Sequence, residues 1–143
     1  MRLAPLAILS LAAIASCAPA TQIPVLIPQP NPLEGTWELV SAKAMLGDSV
    51  VYDLKAPALR SIKVINGTHF SYLTLGENGQ FIRAAAGHYT ASNGLYTEQI
   101  EYSSSRRMAD AYPFTYRVEG DTWYHKSMAG QREQFDEVWR RVK

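Results

Sequence analysis

Cysteine is almost absent from this chain. One cysteine, Cys17, occurs in 143 residues, together with three scattered histidines. A lone thiol excludes an intramolecular disulfide and a cysteine-rich metal site, and histidines without tight ligand spacing predict neither a metal centre nor a cofactor. The run from Ser103 to Ser105 lacks the Gly-x-Ser-x-Gly context of a nucleophilic serine. We therefore assign no catalytic residue from the sequence and favour a role other than catalysis.

A marked charge of either sign is also lacking. The chain has 14 lysines and arginines against 13 aspartates and glutamates, which gives a formal net charge of +1. Without a basic stripe, nucleic acid is not an expected partner. After Ile14 no segment is long and apolar enough to cross a membrane as a helix. Nothing in the sequence specifies an oligomeric state.

The first residues follow the pattern of a signal peptide. Arg2 provides a positive start, Leu3 to Ile14 form a short apolar run, and small residues follow. The stretch Ile14-Ala15-Ser16-Cys17 resembles the lipobox of bacterial lipoproteins. The resemblance implies that acyl chains, a diacylglycerol and a fatty acid such as palmitate, anchor Cys17 in the cell envelope, with Ala18 favouring the outer membrane. The alternative is cleavage after Ala20, which would release a soluble secreted or periplasmic protein.

The sequence divides into three segments. Residues 1–16 form the signal peptide, residues 17–32 carry the lipidated cysteine and a linker, and residues 33–143 form one folded domain. The linker has no charged residue and is rich in proline, which removes backbone donors and favours extended chain. It is predicted to be a polyproline-like tether because it contains Pro19, Pro24, Pro28, Pro30 and Pro32.

The folded domain is predicted to be all-β. Its apolar residues alternate with a period near two, interrupted at short intervals by turn residues. Asn66-Gly67, Asn78-Gly79 and Asn93-Gly94 are typical of hairpin turns. Eight or nine such strands close most simply into an up-and-down antiparallel β-barrel, which leaves no exposed edge. A sandwich of two sheets is the structural alternative.

Two short motifs carry a family resemblance. Gly35-Thr36-Trp37 opens the first strand, and Trp139-Arg140-Arg141 ends the last. This pattern resembles the lipocalin, or calycin, superfamily, and implies that Trp37 packs at a closed end of the barrel with Arg141 stacked across it. The segment Tyr96 to Tyr102 also resembles small bacterial lipocalin-like domains of membrane or secreted proteins. The chain lacks the Thr-Asp-Tyr motif and the late helix of typical lipocalins.

Strand alternation predicts which side chains face the barrel interior. Tyr96, Glu98 and Tyr102 share one face of their strand, and Trp123 and His125 share a face of another. An aromatic lumen with a few polar groups suits a small hydrophobic or amphipathic ligand. We therefore expect these five residues to bind the ligand. The polar groups expected in the lumen are Glu98, His125, Glu137 and Arg141.

Two other functions remain open at this point. One is a small barrel enzyme that uses Glu98 or His125 for acid–base chemistry, since burial shifts a carboxyl pKa towards neutrality. The other is a structural lipoprotein whose barrel is filled by its own side chains, with Glu137 and Arg141 as a buried ion pair at one end. A large interior cavity would favour ligand binding, and an interior filled by side chains would favour the structural role.

Overall fold

The computed structural model describes residues 31–105, 111–128 and 130–143. Within these ranges every regular element is a β-strand, and no helix could cross a membrane. The signal peptide, Cys17 and nearly all of the proline-rich tether lie outside the described residues. The strands are β1 (Gly35–Leu46), β2 (Ser49–Lys55), β3 (Leu59–Ile65), β4 (His69–Gly76), β5 (Phe81–Ser92), β6 (Leu95–Ser103), β7 (Ala111–Glu119), β8 (Thr122–Ser127) and β9 (Glu133–Arg141).

Eight of the nine strands close into a barrel. From β3 to β9 each strand pairs antiparallel with the next along the chain, and β1 pairs with both β3 and β9. The β1–β9 ladder runs from Trp37 opposite Arg141 to Leu46 opposite Glu133. The ring therefore has no unpaired edge strand. The predicted up-and-down antiparallel barrel is confirmed, and the two-sheet sandwich is excluded.

The extra strand, β2, shares one edge of β1 with β3. Residues 35–38 of β1 pair with β3, and residues 41–46 pair with β2. Because both partners run antiparallel to β1, β2 and β3 lie end to end along it. The break between them contains Pro57, whose nitrogen has no hydrogen to donate to a ladder.

A bulge in β1 changes which of its side chains point inward. The pairing with β9 shifts between Leu39 and Ser41, so Val40 has no partner in the ladder. Before the bulge Trp37 and Leu39 are buried, and after it Ala42 and Ala44 are buried. An extra residue on one strand reverses the alternation beyond it. β1 therefore presents large side chains to one end of the barrel and small ones to the other.

A second bulge lies in β6 and moves Tyr102 out of the interior. Gly87 on β5 pairs with Ile100, but Ala86 pairs with Tyr102, so Glu101 is the extra residue. Tyr96 and Glu98 precede the bulge and are buried, whereas Tyr102 follows it and is 72% exposed. The expectation that Tyr102 faces the lumen is therefore wrong, because strict alternation does not hold across a bulge.

Large side chains fill one end of the barrel, which we call the closed end. Leu33, Trp37, Tyr96 and Trp123 are fully buried there. The Trp37 ring meets Trp123 edge-on at a centroid distance of 5.5 Å, and Tyr96 meets Trp123 in the same way at 5.4 Å. The Trp37 indole donates a hydrogen bond to the Leu33 carbonyl oxygen at 2.8 Å. This contact fixes the chain just before β1 onto the closed end.

Candidate functional site

The barrel contains a cavity of about 260 Å³, which we call the lumen cavity. It lies beyond the closed-end core, and its lining extends to the exposed residues Ser105 and Glu133 near the opposite end. All eight strands of the ring contribute to it. The lining consists of Leu39, Leu59, Ser61, Lys63, Tyr72, Thr74, Arg83, Glu98, Ser105, Tyr112, Phe114, His125, Glu133, Phe135, Glu137 and Trp139.

Small inward side chains leave the space for this cavity. Ser61 on β3 and Thr74 on β4 line it, and their hydroxyl oxygens lie 2.9 Å apart. The Ser61 hydroxyl is also within 2.9 Å of the Leu73 carbonyl oxygen. These hydrogen bonds satisfy two polar side chains that would be costly to bury unpaired. The strands therefore hold an open region where larger residues would fill the barrel.

A buried ion pair crosses the floor of the lumen cavity. The Lys63 ammonium lies 2.7 Å from Oε1 of Glu98, and both side chains are almost completely buried, at 3% and 5% exposure. The Tyr96 hydroxyl donates to the same oxygen at 3.1 Å. Trp123 and Trp139 rings surround the ammonium at centroid distances of 5.1 and 5.0 Å. Removing either charge would leave its partner buried and unpaired, which typically costs about 3–5 kcal/mol.

A second buried pair joins His125 to Glu137. Nδ1 of His125 lies 3.1 Å from Oε2 of Glu137, which also accepts a hydrogen bond from the Trp139 indole at 3.0 Å. Burial would raise the pKa of Glu137, but the His125 hydrogen bond and the charges of Lys63 and Arg83 outweigh it and lower that pKa to about 2. Burial and the Lys63 charge lower the pKa of His125 below its ordinary value. At neutral pH the pair is a carboxylate and a neutral imidazole.

Arg83 completes the charge balance of the cavity. Its guanidinium lies 3.8 Å from Oε1 of Glu137. Burial opposes the charge on Arg83, but Tyr52, Glu137 and Tyr72 together raise its pKa. Burial likewise raises the pKa of Tyr72 to about 12, so the phenol stays protonated. Two cations, Lys63 and Arg83, thus face two carboxylates, Glu98 and Glu137.

Two polar atoms in the cavity lining, Nε of Arg83 and Nε2 of His125, lack a hydrogen-bond partner within the described part of the chain. Of these two residues, His125 has the fully buried side chain. Because Nδ1 holds the proton directed at Glu137, Nε2 of the neutral ring is an acceptor. A buried acceptor without a donor is costly, by about 1–3 kcal/mol. The arrangement suits a ligand that brings a hydroxyl or N–H group to this nitrogen.

The structure separates the residues expected from the sequence to bind a ligand. Glu98 and His125 line the lumen cavity. Tyr96 and Trp123 are buried beneath it in the closed-end core. Tyr102 lies on the outer surface, as described above.

The Glu137–Arg141 ion pair of the structural alternative does not form in the described residues. Glu137 binds His125, while the Arg141 guanidinium lies over the Trp37 ring at 4.1 Å, on the outside of the closed end. Arg141 also donates to the carbonyl oxygens of Pro32 and Glu34, each at 2.6 Å. Gly35 leaves the room for this arginine, because a Cβ there would lie 2.7 Å from Nη1 of Arg141. The stack of Arg141 on Trp37 is the contact that the lipocalin resemblance implies.

Sequence reasoning missed Lys63, and it considered Arg83 only as a possible partner of Glu98, whereas Arg83 lies beside Glu137. On β3 the apolar residues Ile62 and Val64 alternate with Lys63, which suggests that Lys63 faces solvent. In the structure Lys63 is buried, and Ile62 and Val64 are exposed. The sequence pattern around Arg83 indicated its orientation more clearly, since Arg83 shares a face of β5 with Ala85 and Tyr89, both of which are buried. That face could have been assigned inward from the small and aromatic residues alone.

Comparison with known proteins identifies a family but gives no activity. A family described as a domain of unknown function (DUF4488) matches residues 32–143. No curated protein matches the chain. The crystal structure of Rv2717c from M. tuberculosis is similar, with a TM-score of 0.45 and 13% identity, over 78% of this chain and 94% of that chain. A similarity at this level carries no argument about ligand or activity.

Proposed function

Since the chain belongs to the DUF4488 family, whose name assigns no function, we propose its role from the site itself: the barrel binds a small, uncharged, amphipathic molecule. The observation that carries this proposal is the lumen cavity of about 260 Å³ with an unpartnered, buried acceptor on His125. A cavity of roughly 150 Å³ accepts benzene, so this one has room for a substituted ring. A barrel filled by its own side chains would not leave such a volume.

The charge balance supports an uncharged ligand. The Lys63–Glu98 and Arg83–Glu137 pairs use both cations and both carboxylates of the inner lining. A charged ligand that displaced Lys63 or Glu98 would break a pair that is almost completely buried, at a cost of several kcal/mol. A neutral molecule would leave the pairs intact and bind through its apolar surface and a few hydrogen bonds.

The aromatic wall supports a flat or ring-bearing ligand. Tyr112 and Phe114 stack on one side of the cavity with centroids 6.4 Å apart, and Phe135 and Trp139 contribute from β9. Such rings supply a large contact area and favour stacked or edge-on contacts with another ring. The free acceptor of His125 would then orient the ligand through a hydroxyl or N–H group.

We further propose that the barrel works as a lipid-anchored envelope protein. The lipobox-like sequence at Cys17 and the proline-rich tether support this location. An apolar or amphipathic ligand is concentrated at a membrane, so a carrier held there meets it readily. Several acyl chains, at about 0.8 kcal/mol per buried methylene, give a stable anchor.

One experiment tests both the ligand and the anchor. The full chain is expressed in a bacterial host, extracted from membranes in mild detergent and examined by native and denaturing mass spectrometry. We expect a covalent acyl mass on a chain that begins at Cys17, and a non-covalent neutral adduct that denaturation removes. The variant C17S should lose the acyl mass and the membrane fractionation while its barrel still binds the adduct.

A matched pair of variants links the adduct to the cavity. Ser61→Leu places extra volume in the lumen cavity, whereas Ser71→Leu places the same side chain on the outer face of the neighbouring strand β4. We expect the first variant to lose the adduct and the second to retain it. Circular dichroism should show that both variants are folded. Absence of any adduct from the wild-type chain, or equal adduct on both variants, would contradict the binding proposal.

A second candidate function rests on the His125–Glu137 pair. A carboxylate that orients a neutral imidazole in the wall of a cavity is the arrangement of a general base. Of the two bases expected from the sequence, His125 is the better placed, since Glu98 is held by Lys63 and Tyr96. In the same mass spectra, H125N would accumulate an adduct of a different mass if the protein is an enzyme. It would show a weaker adduct of unchanged mass if it is a carrier.

A further inference from the structure

Three side chains of the types that ligate metal ions meet on the exposed outer surface of the barrel, outside the lining of the lumen cavity. His69 on β4, His88 on β5 and Glu101 on β6 each offer a ligand atom, and these atoms lie within 4.8 Å of one another. We call this group the outer triad. All three residues are exposed, so the triad is accessible from solution.

The pairing of three adjacent strands brings the outer triad together. His69 is directly opposite His88 in the β4–β5 ladder, and their rings lie 4.2 Å apart between centroids. Nδ1 of His88 is 2.7 Å from Oε1 of Glu101 on the next strand. The order of the strands around the barrel therefore sets the order of the three ligands.

Glu101 lies at the β6 bulge, next to His88 on the paired strand. Glu101 is the extra residue between Ile100, which pairs with Gly87, and Tyr102, which pairs with Ala86. Bulges commonly re-aim a side chain in this way. A Cβ at Gly87 would collide with the Gln99 carbonyl oxygen, so the glycine is what permits the two strands to approach here.

From this geometry we propose that the outer triad binds a divalent transition metal ion, with zinc as the preferred ion. Two imidazoles and one carboxylate with an open fourth position form a zinc site of three protein ligands and one exchangeable ligand. Imidazole nitrogen favours zinc, copper and nickel over magnesium or calcium. The Thr68 hydroxyl lies 2.7 Å from Nδ1 of His69. Such a contact fixes a ring and directs its other nitrogen to a metal.

The ligand atoms need only small adjustments to enclose the ion: Nδ1 of His88 and Oε1 of Glu101, now 2.7 Å apart, would separate slightly, and wider pairs would close. Zinc–nitrogen bonds of about 2.0–2.1 Å place tetrahedral ligand atoms about 3.4 Å apart, against the present limit of 4.8 Å. The backbones are fixed by ladder hydrogen bonds, but the His88 and Glu101 side chains are 49% and 41% exposed and can rotate. The three strands thus place the ligands in advance, and side-chain rotation completes the site.

Isothermal titration of the purified, untagged full chain with zinc chloride tests the proposal. We expect the wild-type chain to bind one zinc ion, and H69A, H88A and E101Q each to weaken that affinity at least tenfold. Loss of a group that only orients a metal ligand typically lowers metal affinity about 10- to 100-fold, so loss of a ligand should cost no less. All three substitutions are at exposed positions and should leave the melting temperature of the metal-free chain nearly unchanged.

Two controls separate the outer triad from other zinc-binding groups. Glu119→Gln removes an exposed carboxylate on β7, which is ion-paired to Arg117 and lies outside the triad, and should bind zinc as the wild type does. Cobalt in place of zinc reports the ligands through its absorption spectrum, because a Cys17 thiolate would add a strong ultraviolet charge-transfer band. Absence of zinc uptake, equal affinity in the triad variants or a thiolate band would each overturn the proposal.

Discussion

Adjacent arginines at the end of β9 have very different environments. Arg140 is exposed and donates from Nε and Nη2 to one carboxylate oxygen of Glu38, at 2.9 and 2.6 Å. Arg141 covers the Trp37 ring and donates to two backbone carbonyl oxygens that precede β1. An exposed ion pair contributes little to stability, whereas a stacked guanidinium with charge-assisted hydrogen bonds contributes more.

From the different environments of Arg140 and Arg141 we predict a clear difference in stability between their alanine variants. R141A should lower the free energy of unfolding by about 1–3 kcal/mol, because it removes a cation–π contact and leaves the Pro32 and Glu34 carbonyl oxygens without their donor. R140A, which has the same change in size and charge, should lower it by less than about 1 kcal/mol. Urea unfolding followed by tryptophan fluorescence measures both. Equal losses in the two variants would show that the closed-end contact of Arg141 is not a stabilising one.

At the scale of single residues, sequence reasoning placed polar groups well only where a face was unambiguous. Glu98 and His125 were expected inward because aromatic neighbours share their faces, and both are buried. Lys63 was not expected, because isoleucine and valine flank it and they face solvent instead. Apolar side chains on the outer face make the two faces of a strand look alike in the sequence. The charged partner of Glu98 was therefore identified only by the structure.

Among the elements, β6 shows why strand periodicity alone could not define the site. The strand and its turn were predicted from Asn93-Gly94, and both residues do adopt positive φ, at 51° and 76°. The bulge at Glu101 carries no comparable local signal, and it turned Tyr102 outward. The Asn66-Gly67 hairpin forms by another route, since the Asn66 side chain accepts from the amides of Thr68 and His69.

The β6 bulge depends on Gly87, and this leads to a prediction for that element. Gly87→Ala should destabilise the barrel by about 3 kcal/mol, because the added Cβ would collide with backbone of the paired strand and not with a movable side chain. Gly67→Ala is the matched control, since a Cβ there would meet its nearest atom, a Glu34 carboxylate oxygen, at 3.7 Å. Thermal unfolding of the two variants measures the difference. A melting temperature for G87A equal to that of G67A would mean that the strands can move apart at no cost.

For the whole molecule, the sequence was sufficient to predict the barrel architecture but not the arrangement of its interior. Consecutive hairpins predicted the neighbours of most strands, and closure followed from the need to pair both edges. The bulge in β1 and the sharing of its edge by β2 and β3 were not predicted, because both depend on pairings between distant residues. The cavity volume likewise results from all eight ring strands together, so no local pattern encodes it.

The buried His125–Glu137 pair makes the stability of the whole barrel sensitive to acid. The pKa of His125 is lower in the folded chain than its ordinary value of 6.5, so unfolded chain binds the proton first as the pH falls below 6.5. Glu137 has a pKa of about 2 when folded, against an ordinary value of 4.5, so its contribution is lost between pH 4.5 and pH 2. Both effects lower the free energy of unfolding as the pH falls. The contribution of these two groups is therefore largest above pH 6.5 and decreases first below pH 6.5 and again below pH 4.5.

The variant H125N tests the first of these ranges. Asparagine can retain the donor to Glu137 but cannot be protonated, so the free energy of unfolding of H125N should depend less on pH than that of the wild type between pH 7.5 and pH 5.5. The difference in slope is at most about 1.4 kcal/mol per pH unit. Urea unfolding at intervals of half a pH unit measures it. Parallel curves for the two chains would show that His125 takes up its proton as easily when folded as when unfolded.

The docking of Leu33 onto the closed end sets the direction in which the barrel faces. The chain joins the barrel at Leu33, held by the Trp37 indole and covered by Arg141, while the lumen cavity extends towards the opposite pole at Ser105 and Glu133. A protein tethered through the segment before Leu33 would therefore carry its binding site on the side remote from the tether. Ligand exchange would then take place on the side of the barrel away from the anchor. A neighbouring membrane or a second protein could bind on that side without obstruction from the anchor.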